Sequence, residues 1–198
     1  MSISTLQDAE TTKKGEMSHT VAFGNVGGKV DTDGASGLPG DLADTVSLPM
    51  VEYMFRYGFH DAMDFGLRYS GSSYGADWKW NLMNGEFALA VGLGITISNY
   101  EIESGSTSAK YGTQDLVVPV YMHYSFNSDF RGYLVPKMVQ RSVTTNATAV
   151  EDTTNNLMGA TFGLKWTKFF VEYTMLSGKS EDSDDDISVN QFAFGYAF

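Results

Sequence analysis

The sequence predicts an all-β fold, an antiparallel up-and-down transmembrane β-barrel of ten strands, with eight strands as the alternative count. Three observations predict it. Apolar and polar residues alternate with period two along nearly the whole chain, and sustained helical periodicity is hard to find. The final segment, Gln191-Phe-Ala-Phe-Gly-Tyr-Ala-Phe198, puts four aromatics on one strand face and Gln191, Ala193, Gly195 and Ala197 on the other. Connections between the alternating segments switch between short turns and mostly longer polar loops, the asymmetry expected of a barrel threaded through a bilayer.

Residues 1–16 (MSISTLQDAETTKKGE) are polar, without the apolar centre of a secretory leader, and read as an N-terminal extension to a barrel over 17–198. An exported chain would carry this numbering in its mature form. The first strand is placed at 18–25. In the second, 46–58, Val51, Tyr53, Phe55, Tyr57 and Phe59 share a face that continues into the turn, opposite Glu52 and Arg56. The third, 64–71, sets Phe65, Leu67 and Tyr69 against Asp64 and Arg68. The fourth, 76–83, sets Trp78, Trp80 and Leu82 against Asp77, Lys79 and Asn81. If the region 64–83 failed to form a full strand pair, the count would fall to eight.

The fifth strand, 86–100, has Phe87, Leu89, Val91, Leu93, Ile95 and Ile97 on one face. Glu86, Ala88, Ala90, Gly92, Gly94, Thr96 and Ser98 lie on the other. The sixth is 114–126. In the seventh, 131–143, the alternation is least clean; Leu134, Pro136 and Met138 are placed outside, with Tyr133, Lys137 and Arg141 inside. The eighth, 157–166, opposes Met158, Phe162, Leu164 and Trp166 to Gly159, Thr161, Gly163 and Lys165. The ninth, 169–177, opposes Val171, Tyr173 and Met175 to Glu172 and Thr174, and the tenth is 187–198. Many of these segments approach the length of roughly 9–11 residues that a tilted strand needs to cross a bilayer.

The short connections are 60–63, Asn84-Gly85, 127–130 and Thr167-Lys168, and Asn-Gly is a strong hairpin signal. The other set is 26–45, 72–75, 101–113, 144–156 and 178–186. Both termini then fall on the short-turn side, the periplasmic one in an outer membrane.

Composition fits this reading. Charged residues are 19% of the 198, aromatics 14%, with 21 glycines and 4 prolines. Absence of cysteine excludes disulfides and thiol chemistry. A net charge of −11 leaves no basic stripe for nucleic acid. The longest apolar run, Phe87–Ile97, is 11 residues with two glycines, short of the roughly 20 a membrane helix needs.

Sorting by face assigns six acids (Glu52, Asp64, Asp77, Glu86, Asp115, Glu172) and six bases (Arg56, Arg68, Lys79, Lys137, Arg141, Lys165) to the lumen. None falls on the lipid face, where a mid-depth charge costs roughly 2–4 kcal/mol. Balanced numbers permit pairing across a filled interior. Aromatics cluster near strand ends as an interfacial girdle: Tyr57, Phe59, Tyr124, Phe126, Trp166, Tyr196 and Phe198 on the periplasmic side, Tyr69 and Trp78 on the outer side.

On these residues, the chain resembles the small single-chain outer-membrane β-barrel proteins of Gram-negative bacteria, over about 17–198. The most specific part is the last strand, where Gln191, Ala193, Tyr196 and Phe198 occupy the places of that family's assembly signal, with Ala193 standing where glycine is usual. The resemblance implies export, insertion by the barrel-assembly machinery, and a surrounding of outer-membrane lipid and lipopolysaccharide. It implies no activity.

Candidate chemistry is sparse. His60 and Asp61 sit in a short turn without a partner nucleophile, and His19 reads as interfacial. His123 and Ser125 project from one strand face, as in the His-x-Ser pair of the outer-membrane lipid A deacylases that they resemble. Their place near the short-turn end and on the lumen face favours a packed lumen histidine. The ten-stranded outer-membrane proteases carry a His–Asp couple at the outer rim, where this sequence has no histidine. The run Ser180–Asp186 lacks the spacing of a calcium loop and reads as solvated. No cofactor or metal site is expected, and loop 26–45, the longest, is the candidate contact for an extracellular partner.

The expected function is therefore non-enzymatic: an outer-membrane barrel with a largely occluded, charge-paired lumen and a structural or surface-interaction role. A narrow pore for ions or small solutes is the first alternative, and a lipid-modifying enzyme the second.

Overall fold

A computed structural model describes residues 3–30, 46–104, 107–145, 153–180 and 186–198. Ten strands run in chain order: β1 (Met17–Val30), β2 (Val46–His60), β3 (Met63–Ser70), β4 (Ser73–Met83) and β5 (Phe87–Ser104), then β6 (Thr107–Ser125), β7 (Phe130–Thr145), β8 (Thr153–Trp166), β9 (Phe169–Ser180) and β10 (Asp186–Ala197). Each pairs antiparallel with its sequence neighbours, and β1 pairs with β10, from Thr20↔Ala197 to Val30↔Ile187, which closes the barrel. The region 63–83 forms a full hairpin from Met63↔Trp80 to Ser70↔Ser73, so the count is ten and not eight.

Several strands outrun their expected ends on the long-loop side. The expected loop 101–113 is largely ladder, with Glu101↔Lys110, Ile102↔Ala109 and Ser104↔Thr107 paired. The apolar stripe of the sequence ends before this point, but backbone pairing needs no apolar face and continues. For the same reason 26–30, 144–145, 153–156 and 178–180 are strand. The expected loop 72–75 shrinks to a Gly71-Ser72 turn in which glycine takes φ +58°. The rest of loop 26–45, and the acidic run over 181–185, lie outside the described residues.

Outward faces carry a continuous apolar belt. Phe23, Val51, Leu93, Met138, Met158, Phe162 and Phe192 are each at least half exposed. Such a surface is far larger than the apolar patches a water-soluble monomer tolerates, and it needs lipid. At the short-turn end the belt finishes in aromatics: Phe126 contacts Tyr124 and Phe130, Tyr196 contacts Phe169 and Phe198, and His19 stacks on Phe198 at 5.5 Å. Trp78, expected at the outer rim, sits edge-on to Phe59 instead, because pairing of Phe65 with Trp78 draws it toward the short turns. Tyr69 packs with Tyr74 at the opposite end.

The hydrophobic core lies inside the barrel, and part of it comes from the N-terminal tail. Leu6 and Ala9 pack among Ala22, Met54, Ala88, Ala90, Tyr121, Tyr133, Val135, Phe170 and Ala193. Ile3 packs higher up with Val139, Leu157 and Leu176. Residues 3–9 are thus enclosed by the wall, whereas the sequence reading set the tail among the solvated turns and loops. From Ile3 the chain descends the lumen to the short-turn end, reverses at Gly15 (φ +80°), and enters β1.

Candidate functional site: the occluded lumen

Small inward residues make the room. Ala22, Gly24, Ala88, Ala90, Gly92, Gly94, Thr161, Gly163, Ala193 and Gly195 point inward on β1, β5, β8 and β10. A ten-stranded wall lined this way leaves an axial space that its own side chains do not fill. The tail occupies it without regular secondary structure, turning at Leu6 (φ +51°). No ladder runs beside it; the one bridge among the described residues is Lys14↔Gly58. Its backbone groups therefore need side-chain partners, because buried N–H and C=O groups left unpaired are costly.

Those partners come from five strands, β3, β4, β7, β9 and β10. Gln191 Oε1 accepts from Ile3 N at 2.6 Å and Ser4 N at 2.9 Å. Glu172 accepts from Thr5 N at 2.8 Å, from Leu6 N, and from the Tyr133 hydroxyl at 2.6 Å. On the carbonyl side, Lys137 donates to Ile3 O at 2.7 Å and Arg68 to Ser4 O at 2.7 Å. Lower down, Lys79 donates to the carbonyls of Asp8 and Glu10, Asn81 to Ala9 O at 2.8 Å, and Thr12 N donates to Asp64 at 2.7 Å.

Three side chains of the tail are read individually. The Ser4 hydroxyl donates to Glu52 at 2.9 Å, and Thr5 Oγ1 lies 3.0 Å from Thr161 Oγ1 and accepts from Lys137 at 2.8 Å. Asp8 is buried between Lys165 at 3.0 Å and Arg131 at 3.1 Å, and Arg131 also pairs with Glu10.

The lumen charges expected from the sequence divide into three groups. Glu52, Arg68, Lys79, Lys137, Lys165 and Glu172 meet the tail directly, as does Asp64 through Thr12 N. Arg56 bridges Asp64 at 2.5 Å and Asp77 at 2.6 Å, with Lys79 at 3.8 Å from Asp64, and Arg141 grips Asp115 through two nitrogens at 2.9 and 3.0 Å. Glu86 does not join them. It is exposed in the turn before β5, because the turn takes three residues, Asn84, Gly85 and Glu86. Wall-to-wall pairing is therefore kept around Asp64, Asp77 and Asp115, and wall-to-tail contacts are added to it.

Asp8 and Arg131 are lumen groups that sequence reasoning does not find; Tyr133 and Asn81 lie on the inward face as expected but with binding roles the sequence does not reveal. Sequence reasoning assigned Gln191 to an assembly signal, yet its amide also binds Glu52 at 2.8 Å. Ala193 faces the lumen as well, while Tyr196 and Phe198 face outward. A usable signal was present in the run of small inward residues on the fifth strand, which leaves a space without a stated occupant.

His123 is buried and faces the lumen, with Nδ1 lacking a hydrogen-bond partner. Ser125 ends β6, its N–H bonded to Glu86 O at 2.7 Å. His60 accepts from Ala62 N at 3.2 Å within its turn, a local capping role. Beside the tail a void of about 60 Å³ is bordered by Gln7, Arg68, Asp77, Asp115, Tyr121 and Lys137, large enough and polar enough for water.

No family model matches the chain, and no curated protein does. Solved structures do resemble it. The outer membrane protease OmpT of Escherichia coli aligns with a TM-score of 0.53 at 10% identity, covering 92% of this chain and 96% of that one. An outer membrane channel from Pseudomonas putida F1 aligns with a TM-score of 0.49 at 8% identity, over 96% and 98%. The attachment invasion locus protein Ail of Yersinia pestis aligns with a TM-score of 0.46 at 12% identity, over 92% and 99%. Identities this low speak to fold and not to activity. With its closed ten-stranded wall and lipid-facing belt, the chain has the fold of the small outer-membrane β-barrel proteins of Gram-negative bacteria.

Proposed function

We propose that the protein is an integral protein of a Gram-negative outer membrane whose barrel is closed by its own N-terminal tail, with a structural or surface-interaction role and no catalytic activity. The tail enters at the periplasmic, short-turn end. One observation carries this reading: the N–H groups of residues 3–6 and the C=O groups of residues 3–5 are bonded by lumen side chains. Filling of the axial space by the tail supports a closed lumen. Planar-bilayer recording of the refolded full chain tests it. No discrete conductance steps are expected, and regular steps would defeat closure.

A narrow pore is the second reading, and one feature favours it. The tail is held by side chains and not by a strand ladder, so its withdrawal would leave the wall intact. Recording at raised voltage, where a dislodged tail would give intermittent steps, separates the two. The enzymatic reading has less support, since the buried His123 has an idle ring nitrogen and faces the packed lumen. His123→Ala should leave lipid A processing by cells unchanged; loss of processing would reverse the assignment.

A further inference from the structure

We propose that the lumen is a peptide-binding site in its own right, with the N-terminal tail as its resident ligand, exchangeable for a separate peptide that carries small residues and one buried carboxylate. The inference rests on the tail-closed reading above and goes beyond it by giving the wall a ligand class.

The wall recognises the tail as a receptor recognises a peptide. The N–H groups of Ile3 through Leu6 are taken by acceptors on β10 and β9, and the carbonyls of Ile3, Ser4 and Thr5 by donors on β7 and β3. This mode reads the main chain, which turns at Leu6 (φ +51°), and tolerates many sequences. Selectivity is confined to a few places. Leu6 and Ala9 are almost fully enclosed, so the position of Ala9 admits no larger side chain without repacking. Asp8 lies between two cations from different strands, a charge-assisted arrangement that selects a carboxylate.

The wall also stands independently of its occupant. Barrel closure runs through the β1–β10 ladder, to which the tail contributes nothing. Apart from the side-chain contacts, the tail is tied to the barrel by the turn at Gly15, whose N–H donates to Gly58 O at 2.7 Å. Gly15 is surrounded by open space, with nothing within 4 Å of where a side chain would begin. Covalent continuity there sets a high effective concentration for the tail and is not required by any wall contact.

The test uses the full chain. A site-specific protease sequence is inserted at Gly15, the protein is refolded in detergent, and the turn is cut. The nicked barrel is then exposed to a synthetic peptide of residues 3–12 (ISTLQDAETT) with a fluorophore on its C-terminal end, which faces the barrel mouth. Saturable uptake with release of the severed tail is expected. A peptide carrying Asp8→Lys should compete at least about tenfold less well, the loss expected for a charge-assisted pair. A barrel of residues 13–198 refolded without the tail should bind the same peptide and serves if cutting is incomplete. No uptake by either form, or equal competition by the Asp8→Lys peptide, overturns the proposal. Conductance on removing the tail without peptide uptake sinks this inference and leaves the closed-lumen reading standing. Peptide uptake with no change in conductance does the reverse.

Discussion

Replacing Glu172 by alanine should release the upper tail while leaving the wall intact. Glu172 is buried on β9 and accepts from three donors: Thr5 N, Leu6 N and the Tyr133 hydroxyl. Each buried donor left unpaired costs about 1–3 kcal/mol. Two of the three donors, Thr5 N and Leu6 N, belong to the tail; the Tyr133 hydroxyl belongs to the wall and loses its partner whether the tail is in or out. Water admitted to the vacated space recovers part of the cost, so the low end applies to each tail donor, about 2 kcal/mol in all. At 1.4 kcal/mol per tenfold, the opening equilibrium of the tail shifts by roughly thirtyfold. Native-state hydrogen exchange in micelles reads it directly. The amides of Thr5 and Leu6 should exchange roughly thirtyfold faster, and ladder amides of β8 and β9 should not change. Glu172→Gln keeps one acceptor oxygen and should fall between the two. Unaltered exchange at Thr5 and Leu6 would refute the reasoning, as would equal acceleration along the strands, which would make Glu172 a wall residue and not a tail anchor.

Other outcomes follow from the same contacts. Gly58→Val should expel the lower tail, since even a methyl group there would overlap the carbonyl oxygens of Thr12 and Lys13; added protease should then clip the tail of the variant and spare it in the parent. Asp8→Asn strips Lys165 and Arg131 of their shared carboxylate, and breaking a buried pair costs about 3–5 kcal/mol, so residues 3–9 should lose exchange protection while the barrel keeps its heat-modifiable gel shift. Met158→Lys places a charge on the lipid face of β8 and should lower unfolding stability in liposomes by about 2–4 kcal/mol, whereas a lysine at lumen-facing Gly159 would act by overlap with Met175 O and the Leu176 backbone. A value near zero for Met158→Lys would remove that face from the bilayer.

The wall was legible because lipid imposes a strict rule on it. Strands such as β5, with Leu93 and Ile95 out and Gly92 and Gly94 in, declare their facing by alternation, and facing then fixes register. Legibility ended where the rule did. Beyond Ser98 the positions that continue the apolar face of β5 are polar (Asn99, Glu101, Glu103), so the apolar stripe ends and a continuing ladder reads as a loop. The tail was illegible for a related reason. Residues 3–12 pair through side chains remote in sequence, Gln191 and Glu172 among them, and carry no periodicity of their own. A polar segment in a polar lumen has the composition of a segment in water.

Charge shows why wall and tail are better treated as one unit. Among the described residues, the inner wall carries seven bases (Arg56, Arg68, Lys79, Arg131, Lys137, Arg141, Lys165) against five acids (Glu52, Asp64, Asp77, Asp115, Glu172). That leaves a formal excess of two positive charges. The sequence reading found a balance only by counting Glu86, which lies in a turn, and by omitting Arg131. The missing negative charges are on the tail, where Asp8 pairs with Lys165 and Arg131, and Glu10 with Arg131. An emptied lumen would hold unpaired cations in a low-dielectric enclosure, which is unfavourable unless water or anions enter. Withdrawal of the tail should therefore create an anion-preferring path. Reversal-potential measurements on the nicked, tail-free barrel in a salt gradient give the sign, and a cation preference would contradict this account of the lumen.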